Sequence, residues 1–424
     1  MMKNERLAGI LMHPTSLPGP YGIGDFGPEA YRFADYLAEA AAGLWQILPM
    51  GPTGYGNSPY SSRSTFAGNI LLISIDVLIE DGYLDNDDLA GKPEFRERRI
   101  DYQAVESWKV PLLFKAAKRF IDAWDPGERQ KYEKFCREQT FWLEDYAVFA
   151  TAVDEIGDSR WFSHWDRKLG FRDPEALRLW QAAHSREIEL RKVLQYFFFT
   201  QWFAIKSYAN ARGIGLVGDI PIFVAADSAD AWVNLHLFKT DSQGRFSVQS
   251  GVPPDFFSAT GQLWGTPLYN WEECEEELMQ WWLHRIRHAL KMTDVIRIDH
   301  FRGLESYWEV AADAVTAIDG KWVKAPGDKL FSRIQDELGE IPVIAEDLGV
   351  MTPEVEALRD AYDLPGMKIL QFAFDRTGPG EIDPKNDFLP HNYSQNCVAY
   401  TGTHDNDTTL GWYEALDDAD RDVV

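Results

Sequence analysis

Seven short runs rich in Ile, Leu and Val punctuate the chain: 8–12 (AGILM), 44–48 (LWQIL), 214–219 (IGLVGD), 294–299 (DVIRID), 341–346 (IPVIAE), 367–372 (MKILQF) and 397–403 (CVAYTGT). They are too short for helices and too uniformly apolar for strands with one wet face, so they read as buried parallel strands. Between several of them the apolar spacing becomes helical. The stretch 28–42 opens with Pro28 at a first helical position and is followed by Gly43, and 275–290, 328–338 and 353–361 read similarly. Strands alternating with helices imply βα units and a parallel sheet, an α/β fold of the (β/α)8 TIM-barrel type. A closed barrel of this type needs eight strands. The eighth would follow the helix that begins near Asp417, so the last barrel unit is expected to be missing after residue 424.

The link between the second and third runs is very long, and its part 174–212 is strongly helical. A connection of that length must fold in its own right. The expected organisation is a discontinuous catalytic barrel, 1–49 and 214–424, with 50–213 as an inserted, mainly helical subdomain. A smaller insertion, about 223–269, follows the third strand. It contains the Gly/Pro-rich segment GVPPDFFSATGQLWGTP, and 251–262 reads as a lid loop.

Composition narrows the partners. Of 424 residues, 45% are hydrophobic and 26% charged, ordinary for a globular protein. Lys and Arg number 42 and Asp and Glu 67, a net charge of −25. That surface repels polyanions, so no nucleic acid is expected, and no basic amphipathic stretch seeks a membrane. Cys136, Cys274 and Cys397 are odd in number and far apart, which favours a reducing, cytoplasmic setting. The first residues lack the apolar core of a signal peptide, and no run of 18 apolar residues exists. The sequons at Asn392 and Asn406 then read as chance matches. Aromatics make up 14%; most belong to a core, and some Trp and Tyr are candidate platforms for a substrate.

The chemistry concentrates at strand ends. Asp299 in VIRIDHFRG, Glu346 in VIAEDLG and Asp405 in TGTHDND all stand at or just after the C-terminal ends of predicted strands. In a parallel barrel those ends open on one face, so the three carboxylates can converge. A single such carboxylate more often caps the next helix. Three of them, two beside Arg or His, point to glycosyl transfer, in which one attacks the anomeric carbon and another protonates the leaving oxygen. The covalent route asks for about 5–5.5 Å between the two. Arg297 shares a strand face with Asp299 and favours an ionised nucleophile. Glu346 must instead keep a proton near neutral pH, which requires burial or a negative neighbour. His300 and His404 are candidate donors to substrate hydroxyls, or else structural histidines.

Two other readings compete. Asp299, His300, Glu346, Asp347, His404 and Asp405 include ligand types for a divalent ion, but neither an HxH pair nor HExxH occurs, and no metal is expected. Gly22, Gly24 and Gly27 match GxGxxG ahead of a helix. Nine residues, including Pro14, Pro18 and Pro20, separate them from the preceding strand, so no dinucleotide cradle forms there.

The segments SLPGPYGIGDFG, YGNSPYSSRSTFAGN, GDIPIFV, GQLWGTPLYNW, RIDHFRG, AEDLG and TGTHDNDT, in this order, closely resemble the 4-α-glucanotransferases, also called amylomaltases or disproportionating enzymes, of glycoside hydrolase family 77. The likeness runs from about Gly9 to Trp412. It implies a (β/α)8 barrel with inserted subdomains and a retaining, double-displacement mechanism. By its motif Asp299 is similar to the family's nucleophile, Glu346 to its general acid/base, and Asp405 to its third carboxylate. Arg297, His300 and His404 match residues around the reacting sugar, and Asp219 in GDIP matches the aspartate of the third strand. Tyr60 and Trp264 match sugar-stacking positions, and Ser58 and Asn406 are further substrate-binding positions. The loop 251–262 resembles a mobile lid. The resemblance implies maltooligosaccharides, amylose or related α-1,4-glucans as partners, glucose as an acceptor, and no cofactor. An α-amylase-like hydrolase and a glucan-binding barrel without catalysis are the alternatives.

Overall fold

The computed structural model describes residues 6–254, 258–374, 376–378, 381–421 and 424. Two compact units divide the chain, one of residues 6–294 with 308–323, the other of 295–307 with 324–424.

In the first unit, strands Gly9–Leu11, Leu44–Gln46 and Gly215–Pro221 pair in parallel, with Leu44 opposite both Gly9 and Gly215. Gly9 is required here, because a Cβ would lie 2.7 Å from the Leu44 carbonyl oxygen. The helix Pro28–Glu39 starts where the sequence places it and buries Ala30, Ala34 and Leu37 along one stripe. Its start is fixed from the glycine-rich turn: Asp25 Oδ1 accepts the Gly27 N–H at 2.9 Å, and Lys109 Nζ, fully buried, pairs with Asp25 Oδ2 at 2.9 Å. These glycines therefore shape a helix entry.

Between Gln46 and Gly215 the described residues form helices and no strand, chiefly Tyr102–Ala123, Pro126–Glu138, Leu143–Ile156, Pro174–Ala183 and Ser185–Ala211. The last of these uses two buried glutamines as substitutes for a neighbouring strand. Gln195 Oε1 accepts the Gly68 N–H at 2.7 Å while its Nε2 donates to the Gly68 carbonyl at 3.0 Å. Gln201 holds Ser74 in the same way, at 2.7 and 3.4 Å. Backbone groups at both ends of the buried segment 68–74 are thus satisfied without a sheet. Gly68 admits the close approach, since a Cβ there would meet the Phe198 ring at 2.2 Å.

The region 223–269 contains more than a loop. Strands Gln262–Pro267, Val248–Val252, Ser306–Ala311 and Gly320–Lys324 form an antiparallel sheet in that order, with Gly251 opposite Leu263 on one side and Trp308 on the other. Of the expected lid 251–262, residues 255–257 lie outside the described residues.

In the second unit, Val295–Asp299 pairs in parallel with Val343–Ala345, and Gly366–Ile369 with Cys397–Tyr400. The Ala345 N–H donates to the Pro365 carbonyl at 2.9 Å, which ties these two pairs together. Helix Gly327–Leu338 buries Leu330, Phe331 and Ile334, and helix Pro353–Ala361 buries Val355 and Leu358. All seven apolar runs are thus strands in parallel pairings. Among the described residues, no helix is long and apolar enough to cross a membrane.

Candidate active site

The three candidate carboxylates belong to the second unit. Arg297 and Asp299 lie two apart on the strand Val295–Asp299, so both side chains leave the same face. Arg297 Nη1 pairs with Asp299 Oδ1 at 2.9 Å, while its Nε points to Met367 Sδ at 3.4 Å. The guanidinium is buried and the carboxylate partly open to solvent. The chain then turns sharply: His300 takes φ 53° and ψ 49°, a left-handed conformation that a non-glycine residue adopts at some cost and that clusters at functional sites.

That turn presents a backbone donor to Glu346. The His300 N–H donates to Glu346 Oε2 at 2.6 Å, and the Leu348 N–H to Oε1 at 2.9 Å. Two main-chain bonds therefore fix the carboxyl just beyond the strand Val343–Ala345. Its acidity is set by opposing effects. Loss of water raises it first and the Asp299 charge raises it further, while Arg297 and the two N–H donors pull it down. The balance leaves Glu346 at about 7. One carboxylate paired with a cation beside another that holds its proton near neutrality is the division needed for a nucleophile and an acid. Burial, aided by the Arg302 charge, lowers His300 to about 3, so its imidazole is neutral at working pH.

The third carboxylate follows the strand Cys397–Tyr400. His404 Nε2 lies 3.3 Å from Asp405 Oδ1; the histidine is largely covered, whereas the Asp405 side chain is 71% exposed. Burial lowers the His404 pKa, Asp405 raises it and Arg297 lowers it again, so the charge that faces Asp299 is felt at His404 too. Asn406 Oδ1 accepts from both the N–H and the hydroxyl of Thr403, at 2.9 and 3.0 Å, and closes the loop that carries Asp405.

Several supporting groups carried only a faint signal in the sequence. Asp347, counted there only among ligand types, is a brace: its Oδ1 accepts the Met367 N–H at 2.7 Å and its Oδ2 pairs with Arg359 at 2.5 Å. Gly366 makes room for it, since a Cβ would lie 2.2 Å from Asp347 Oδ2. Arg302 donates to the Val350 carbonyl and laces the turn after Asp299 to the loop after Glu346. An acid directly after the acid/base candidate and an arginine three residues past Asp299 were the available clues.

The remaining expected residues belong to the first unit. The Tyr60 hydroxyl donates to Asp219 Oδ2 at 2.6 Å, which joins the NSPY segment to the strand Gly215–Pro221. Ser58 Oγ accepts the Tyr60 N–H at 3.3 Å. Trp264, on the strand Gln262–Pro267, is 37% exposed and directs its Nε1 to Gln262 Oε1 at 3.3 Å. Its exposure suits a stacking surface.

Comparison with known proteins identifies the family. The family model described as 4-alpha-glucanotransferase, glycoside hydrolase family 77, matches residues 12–424. The 4-alpha-glucanotransferase of Thermus thermophilus is 50% identical over 97% of this chain and 81% of its own length. That of Synechocystis sp. is 46% identical over 100% of this chain and 83% of its own. Among solved structures, the amylomaltase from Streptococcus agalactiae in complex with acarbose has a TM-score of 0.93 at 41% identity, covering 99% of this chain and 83% of that one. The α/β fold is therefore that of the amylomaltases, and the chain belongs to the 4-alpha-glucanotransferases of glycoside hydrolase family 77.

Proposed function

We propose that this enzyme transfers segments of α-1,4-glucans by double displacement, with Asp299 as nucleophile and Glu346 as acid and then base. In the first step Asp299 attacks the anomeric carbon of the donor. The glycosidic bond breaks, and the leaving oxygen takes the proton of Glu346. In the second step the ionised Glu346 removes a proton from the 4-hydroxyl of an acceptor glucan or of glucose. That oxygen displaces Asp299 from the anomeric carbon and restores both carboxyls. Each inversion cancels the other, so the α configuration is retained. Asp405, with His404 beside it, binds sugar hydroxyls, as do His300 and Asn406. Tyr60, Asp219, Ser58 and Trp264 are assigned to substrate binding by their motifs.

The observation that carries this reading is the Glu346 carboxyl at about 7 beside Asp299, itself paired with Arg297 at 2.9 Å. Neither step draws on a redox or metal centre. The unpaired cysteines and the family's maltodextrin chemistry support a cytoplasmic role in starch or glycogen metabolism.

Incubation with maltotriose followed by separation of products by length tests it. Glucose together with chains longer than maltotriose is the expected result, whereas glucose and maltose alone would make the protein a hydrolase. Asp299→Asn is expected to abolish turnover and leave maltotriose binding intact; a variant that kept about a tenth of the rate would remove Asp299 from the role of nucleophile.

A further inference from the structure

The strand that carries Asp219 ends against a buried cation. Arg285, on the helix Trp271–Met292, is 2% exposed. Its Nη2 donates to the Pro221 carbonyl at 2.6 Å, and its Nη1 to the Ile222 carbonyl at 3.1 Å and the Tyr269 hydroxyl at 3.3 Å. Its Nε donates to Thr65 Oγ1 at 3.2 Å. Trp281 and Trp282 cover the guanidinium at 4.8 and 4.5 Å. Asp230, equally buried, interacts with its charge and accepts the Thr65 N–H at 2.8 Å.

Two backbone segments meet at this fork. One is the end of the strand with Asp219, two residues before Pro221; the other is the segment with Tyr60, five residues before Thr65. Removing a guanidinium from water is costly, and apolar packing would fill the same space more cheaply. What a guanidinium adds is a rigid plane of donors that fixes several acceptors at set spacings. We infer that Arg285 is a positioning residue: it sets the separation of the segment 58–65 from the end of the strand Gly215–Pro221, and so aligns the Tyr60–Asp219 pair that meets the glucan. The inference rests on the substrate-binding reading of Tyr60 and Asp219.

A double-mutant cycle on the intact chain tests it, with kcat and KM for maltotriose measured for Arg285→Lys, Tyr60→Phe and the pair. Lysine keeps the charge but cannot bridge Pro221 and Thr65 at once. Arg285→Lys is expected to raise KM about tenfold with kcat within about threefold. Tyr60→Phe alone is expected to raise KM severalfold, yet to add less than about twofold in the Arg285→Lys background, because the pair is already misaligned. Effects that multiply in full would overturn the inference and leave Arg285 a core residue. An unchanged KM in Tyr60→Phe alone would instead overturn the reading of Tyr60 on which it rests, so the two failures are told apart. Should Arg285→Lys fail to fold, Thr65→Val removes only the hydroxyl that meets Nε and enters the same cycle. A KM rise that Tyr60→Phe does not compound supports the inference. An unchanged KM, or a fully compounded rise, overturns it.

Discussion

At the scale of single residues, the proposed mechanism depends on keeping two neighbouring carboxyls in different protonation states. Glu346 has a raised pKa, so it is protonated below about 7 and loses its acid form above it. Because the acid form is needed to release the leaving group, kcat/KM for maltotriose is expected to fall about tenfold per pH unit on the alkaline side. Asp299 contributes to the rise, so Asp299→Asn is expected to lower the Glu346 pKa, read by carbon-13 NMR titration of the labelled carboxyl; an unchanged value would mean that loss of water alone raises it. His300, held near 3, stays neutral through this range and contributes no limb of its own. The carboxyls themselves were legible in the sequence, because strand-end acids beside Arg and His form a pattern of side-chain types. The donors that hold Glu346 were not, because a main-chain N–H leaves no mark on residue identity. Arg302 and Asp347 escaped for a related reason: a brace is recognised by the groups it touches, and these lie 12 to 48 residues away.

At the scale of elements, several of the parallel strands were readable because both faces are buried, and buried strands write themselves as continuous apolar runs. Val343–Ala345 and Val295–Asp299 are examples. The antiparallel sheet was not readable. Gln262–Pro267 reads QLWGTP, mostly open to solvent and interrupted by Gly and Pro, and Val248–Val252 reads VQSGV. Neither shows the strict alternation that marks a strand with one buried face. The glutamine pairing on Ser185–Ala211 was equally hidden, since a polar residue on a helix reads as solvent-facing until the burial is seen. Gln195→Leu keeps the bulk but strands both polar groups of Gly68. It is expected to cost about 2–4 kcal/mol, measured as a lower urea midpoint with the m-value unchanged. A loss below about 0.5 kcal/mol would mean that water takes over both bonds.

For the whole molecule, the dominant fact is charge. A net −25 spread over 424 residues produces self-repulsion, yet the substrate is a neutral polyhydroxyl chain that the field neither attracts nor repels. Raising NaCl from about 20 mM to about 500 mM is therefore expected to raise Tm by a few degrees while KM for maltotriose stays within about twofold. A steep dependence of KM on salt would indicate a charged group on the true substrate. The three candidate carboxyls all come from the unit that contains 295–307 and 324–424, and the Tyr60–Asp219 pair from the unit that contains 6–294.

The two bonds on Glu346 also bear on how such an enzyme adapts by descent. Point mutations at positions 300 and 348 replace side chains and leave the N–H groups in place; proline is the sole exception, and His300, at φ 53°, could not accommodate it. This part of the acid's setting is therefore shielded from ordinary genetic drift. A lineage moving to more alkaline surroundings must shift its working range by altering the walls that keep water from Glu346, or the charges beside it.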